Sequence, residues 1–120
     1  MELTIEKALQ QGVVAHKEGN LQIAEQLYHA ILQVQPSHPD ANHNLGVIAV
    51  SVSNTELALP LFKTALESNP KIEQFWLSYI GALIKENQLE EAGSVLEKGK
   101  KMGLAGKKVD VLRVQLKQML

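Results

Sequence analysis

The chain has 120 residues, 45% of them hydrophobic and 21% charged, which is the ordinary globular range and enough for one core or one small array. A formal net charge of −1 gives no bulk attraction to nucleic acid or to an anionic membrane. With no cysteine, disulfides, thiol chemistry and thiolate metal sites are excluded. The first residues, MELTIEKALQQG, show no basic leader, and no apolar run is long enough to span a bilayer, so the expected location is the cytoplasm.

Taken in chain order, the local signals predict seven helices and no strand. Thr4 can cap the first, which Gly19-Asn20 turns. The second runs from about Leu21 to Gln35, before Pro36. Ser37 or His38 can cap the third, with Pro39 in its first turn, where a missing N–H matters little. Asn54 and Thr55 start the fourth, which contains Pro60 one turn in and is expected to bend slightly rather than break. The fifth and sixth span about Ile72 to Lys85 and Leu89 to Met102, with Gly103 as the stop. The seventh covers 107–119, with Val109, Leu112 and Leu116 on one stripe; Val111, Val114, Met119 and Leu120 fall outside it.

One segment is ambiguous by itself: DANHNLGVIAV, residues 40–50, reads either as a strand behind a glycine loop or as a helix. A shift of 34 residues decides between them. Ala24, Ala58 and Ala92 then coincide, as do Tyr28, Phe62 and Leu96, and Pro36 and Pro70. Gly12 falls on Gly46, and Gly19, Ser53 and Asn87 mark one turn. In the partner segments the apolar residues recur at helical spacing, as in Leu77, Ile80, Leu83 and Ile84, so the ambiguous stretch is helical too. Alanine at 24, 58 and 92 lets antiparallel helices approach closely, and the large side chain four residues later fills the space beyond. Gly46 in a helix implies a neighbour that a methyl group would strike.

This pattern resembles the tetratricopeptide repeat (TPR) family, whose unit reads W-x2-L-G-x2-Y, then A-x3-F, then P. The middle copy carries it best, with Leu45, Gly46, Ala58, Phe62, Ala65 and Pro70; the third keeps Trp76 and Ala92 but has Ile80, Gly99 and Leu104 in the glycine, alanine and proline columns. The resemblance implies an all-α, right-handed superhelical array of three helix-turn-helix units, over about 5–38, 39–72 and 73–106, and a C-terminal capping helix at about 107–119, all in one domain. The cap would cover the apolar end that a stacked array leaves open. Self-association through it is a further expectation.

No chemistry is evident. The histidines are scattered without an i, i+4 ligand pair, so no metal or other cofactor is expected. No serine or threonine sits in a nucleophile-elbow pattern. The lysines at 98, 100, 101, 107 and 108 fit a helix C-terminus that favours cations, with a patch for an acidic partner as the alternative reading. Function therefore falls to the concave groove that the first helix of each pair lines in such arrays. The candidate residues are Leu9, Gln10, Val13, His16 and Lys17; His43, Asn44, Val47, Val50 and Ser51; and Leu77, Ser78, Gly81, Ile84 and Lys85. Apolar groups flank a row of neutral hydrogen-bonding groups, Gln10, Asn44 and Ser78, which suits a peptide or protein segment. The expected role is a non-catalytic protein–protein interaction module.

Within the family, heat-shock co-chaperones clamp a partner's terminal carboxylate with lysine, asparagine and arginine. The matching positions here hold Leu9, Val13, Asn44, Gln74 and Ser78, so only Asn44 agrees and the clamp is not expected. The polar row is similar, at one asparagine in three, to the inner-face asparagine ladder of O-linked N-acetylglucosamine transferases. That likeness implies an alternative role as the substrate-recognition or scaffold segment of a larger transferase whose catalytic domain is absent.

Overall fold

A computed structural model describes residues 3–120. It contains seven α-helices and, among the described residues, no strand: α1 Ile5–Lys17, α2 Leu21–Val34, α3 Pro39–Ser51, α4 Thr55–Ser68, α5 Glu73–Lys85, α6 Leu89–Lys101 and α7 Lys107–Met119. Thr4 Oγ1 accepts from the Lys7 N–H at 3.1 Å, capping α1. At α3 the cap is His38, whose Nδ1 accepts from the Ala41 N–H at 3.1 Å, with Pro39 next in sequence. Helix α4 continues through the exposed Pro60 without a break. Three ends differ by one residue from expectation: α2 stops at Val34, α5 starts at Glu73 after Ile72, and α6 stops at Lys101. Each displaced residue is the half-helical flanking position, where fraying sets the boundary.

The 34-residue columns reappear as geometry. Gly19, Ser53 and Asn87 all take the left-handed conformation, at φ 80°, 63° and 58°. Each closes its helix with the same pair of bonds, such as Asn20 N–H to Ala15 O at 2.8 Å and Gly19 N–H to His16 O at 3.0 Å. The loop before each following helix is tied down equivalently. Asn42 Nδ2 donates to Pro36 O at 3.0 Å, and Trp76 Nε1, one repeat later, donates to Pro70 O at 2.8 Å.

Ala24, Ala58 and Ala92 are fully buried, and the large residue four positions on is buried beside each: Tyr28, Phe62 and Leu96. A methyl group on Gly12 would stand 2.6 Å from the Tyr28 ring, and one on Gly46 would strike the Phe62 ring. The third repeat exchanges volumes: Ile80 replaces the glycine and Leu96 the aromatic, and both are buried. Consecutive helices pack in sequence, α3 also reaches α5, and α7 lies on α5 and α6 with Val109 and Leu116 buried. The result is a superhelical stack measuring 51 × 28 × 22 Å, with one apolar cluster under α1–α3 and a second running from α3 to α7.

Candidate functional site

Helices α3 and α5 stand side by side because each is the first helix of its pair. Between them lies a cavity of about 400 Å³ whose lining includes seven of the predicted residues: Val47, Val50, Ser51, Leu77, Ser78, Gly81 and Lys85. Thr55, Phe62 and Ala82 complete it. Thr55 is 5% exposed at the first position of α4, and a polar residue there reads from sequence as a helix start, which hides its place in the cavity. Gly81 is the deepest asymmetry of this surface. Its column-mates are Val13 and Val47, yet a methyl group at Gly81 would meet nothing within 4 Å. Unlike Gly12 and Gly46, it answers no packing need, although glycine in a helix interior costs about 1 kcal/mol relative to alanine.

The polar row does not form a free ladder. Ser78 Oγ lies 2.8 Å from His43 Nε2 and also accepts from Gln74 Nε2 at 3.1 Å. Asn44 Nδ2 donates to the Tyr28 hydroxyl at 3.4 Å. Ser51 turns its hydroxyl back to Ile48 O at 2.7 Å. Gln10 lies apart, in a separate concavity with Gln11, Val14, Asn20 and Ile23. Sequence spacing gives a side chain's direction, but not what the neighbouring helix offers to it.

His43 is 9% exposed and lies against two aromatic rings, Phe62 at 5.3 Å and Phe75 at 4.8 Å between centroids. Burial pushes its pKa below the ordinary 6.5, a shift partly offset by the Asn44 side chain and the Asp40 carboxylate. The imidazole is therefore neutral at pH 7 and serves as a wall between α3 and α5. Ile84 is a correction: it is 1% exposed and belongs to the core, not to the groove. Helix α5 is packed by α3, α4, α6 and α7, so it has less free surface than α1 or α3. In the first repeat Leu9, Val13 and His16 are half-buried, with His16 edge-on to Tyr28 at 6.5 Å, and Lys17 is exposed. On α7, Val111 and Val114 are 64% and 54% exposed.

Among the described residues no three His, Asp or Glu side chains converge as metal ligands, and no helix is long and apolar enough to cross a membrane. The lysines ending α6 include one weak pair, Lys100 Nζ to Glu97 at 3.8 Å, largely in solvent.

No family model matches the chain, and no curated protein matches it by sequence. Solved structures do. A MamA chain (AMB-1) superposes with a TM-score of 0.82 at 23% identity over 98% of this chain and 64% of its own. The first TPR of Spaghetti (RPAP3), bound to the HSP90 peptide SRMEEVD, gives 0.83 at 16% identity over 95% of this chain and 90% of its own. A tetratricopeptide repeat protein from Parabacteroides merdae gives 0.86 at 18% identity, but this chain spans only 45% of it. Three helical pairs with recurrent turns, a seventh helix on the last pair and these superpositions agree: the chain has the tetratricopeptide-repeat fold.

Proposed function

We propose that the chain is a non-catalytic interaction module that seats a peptide or protein segment in the groove between α3 and α5. The observation that carries this reading is Gly81, a helix-interior glycine with open space above it in the lining of a cavity with a mainly apolar surface. A backbone left bare in this way lets a bound chain approach closely. Val47, Val50 and Leu77 supply an apolar seat, and the exposed Lys85 stands at its rim. The preferred ligand is an extended segment with one apolar anchor next to an acidic residue. Because Leu9 and Val13 occupy clamp positions, the terminal carboxylate is not the recognised feature.

The Spaghetti structure, at 16% identity, also holds a bound peptide. The transferase alternative has no comparable support, since Asn44 is engaged by Tyr28 and Ser78 by His43, which leaves no asparagine ladder. The test is capture from a displayed peptide library by the wild-type chain and by Gly81→Leu. A Cβ at this position meets no neighbour and the cavity lies beyond it, so the variant is expected to fold, which circular dichroism checks, and capture is expected to fall at least tenfold. Equal capture of the same sequences by both chains rejects the groove.

A further inference from the structure

The α3/α5 groove does not end at α5. A further concavity of about 320 Å³ lies between α5 and α7, lined by Gln74, Leu77, Lys108, Val111 and Leu112. Leu77 lines both spaces, so they adjoin over its side chain and together cross α3, α5 and α7. Helix α7 takes the place of a further first helix: a shift of 34 residues puts Val111 on Leu77 and Lys108 on Gln74. Val111 is 64% exposed, which leaves an apolar seat open at this end.

The sign of the charge is read from the lining itself. Lys85 borders the α3/α5 part and Lys108 the α5/α7 part, and no carboxylate lines either. Both lysines are exposed, and among the described residues neither is in an ion pair; the pairs present are Lys100 with Glu97 and Arg113 with Asp110. The column of Lys108 changes sign along the array, through Glu6, Asp40 and Gln74, but Glu6 and Asp40 stand on α1 and α3 and line neither part. On α7 the one carboxylate, Asp110, is held by Arg113 at 3.4 Å and lines a different concavity. Residues 98–120 hold seven lysine and arginine side chains and one acid in a chain of net charge −1, so an anionic segment is drawn to this end of the groove.

The spacing of the two ammonium groups sets the length of the ligand. Gln74, beside Lys108, and Lys85 lie eleven residues apart on α5, which is roughly 17 Å along its axis. An extended chain covers that distance in about five residues. We propose that the groove takes an extended internal segment of a partner protein with two acidic side chains about five positions apart and apolar residues between them. One carboxylate meets Lys85 and the other Lys108, while the apolar residues cross Gly81 and Leu77. This proposal rests on the α3/α5 groove being the binding site and adds the chemistry of its occupant.

The test is calorimetric titration at low salt with acetyl-Glu-Gly-Leu-Val-Gly-Glu-amide, whose blocked end removes any terminal carboxylate. Its counterparts carry glutamine or lysine in place of both glutamates, or the two glutamates side by side. The spaced glutamate peptide is expected to bind about tenfold more tightly than each counterpart; exposed ion pairs are individually weak, so Lys85→Gln and Lys108→Gln should each weaken it by about threefold to fivefold. Neither lysine variant should change binding of the glutamine peptide. Both positions are exposed, so the variants are expected to fold, which circular dichroism checks. If the glutamine peptide or the adjacent-glutamate peptide binds as tightly as the spaced one, and Gly81→Leu abolishes binding of all, the acidic spacing is overturned and the groove stands. If no peptide saturates the chain, or Gly81→Leu leaves binding unchanged, the groove and the proposal fail together.

Discussion

His43 and Ser78 are joined side chain to side chain across the α3/α5 boundary, with Nε2 and Oγ 2.8 Å apart. This bond couples the second repeat to the third and holds the imidazole between the rings of Phe62 and Phe75. Ser78→Ala leaves a buried ring nitrogen unpaired and is expected to lower unfolding free energy by about 1–2 kcal/mol in urea denaturation at pH 7.5.

The same histidine makes stability depend on pH. Its folded pKa is depressed below 6.5, so between that folded value and 6.5 the unfolded chain binds the extra proton. Stability from this group is complete above about pH 7 and falls as pH drops below 6.5 towards the folded pKa. Replacing His43 with Phe removes that part of the acid slope, measured as the urea midpoint against pH from 7.5 to 5.

Gly46 and the Phe62 ring are in mutual contact by necessity. Gly46→Ala is expected to destabilise by about 1–3 kcal/mol through overpacking, despite the better helix propensity of alanine. Adding Phe62→Leu should recover part of the loss, because the third repeat already pairs a larger residue with Leu96. A double-mutant cycle by thermal unfolding gives the coupling; strict additivity would show that the two sites are independent.

At Gly81 the sign reverses. Gly81→Ala meets no neighbour, so stability should rise by about 0.5–1 kcal/mol in the same denaturation assay. If Gly81→Ala destabilises the chain, the space above this residue is not open.

The turn column offers a fifth comparison. Ser53 holds φ 63°, a conformation glycine adopts without penalty. Ser53→Gly is expected to stabilise by up to about 1 kcal/mol, whereas Gly19→Ala, at φ 80°, should destabilise; a pair of chemical denaturation curves decides both.

Much of this molecule is written in spacing. Helix number, the close Ala24, Ala58 and Ala92 contacts, the need for glycine at 46 and the turn at 19, 53 and 87 all follow from residue type repeated every 34 positions, because stacked copies meet their neighbours in one way. The column logic also located seven residues of the α3/α5 cavity, since a helix face is set by its period. Only the tertiary structure decided which of those side chains remain available. It buried Ile84, tied Ser78 to His43 and Asn44 to Tyr28, and separated Gln10 from them. Each of these outcomes depends on what an adjacent helix presents at a distance of a few ångströms, and the period of a single helix carries no record of its neighbour.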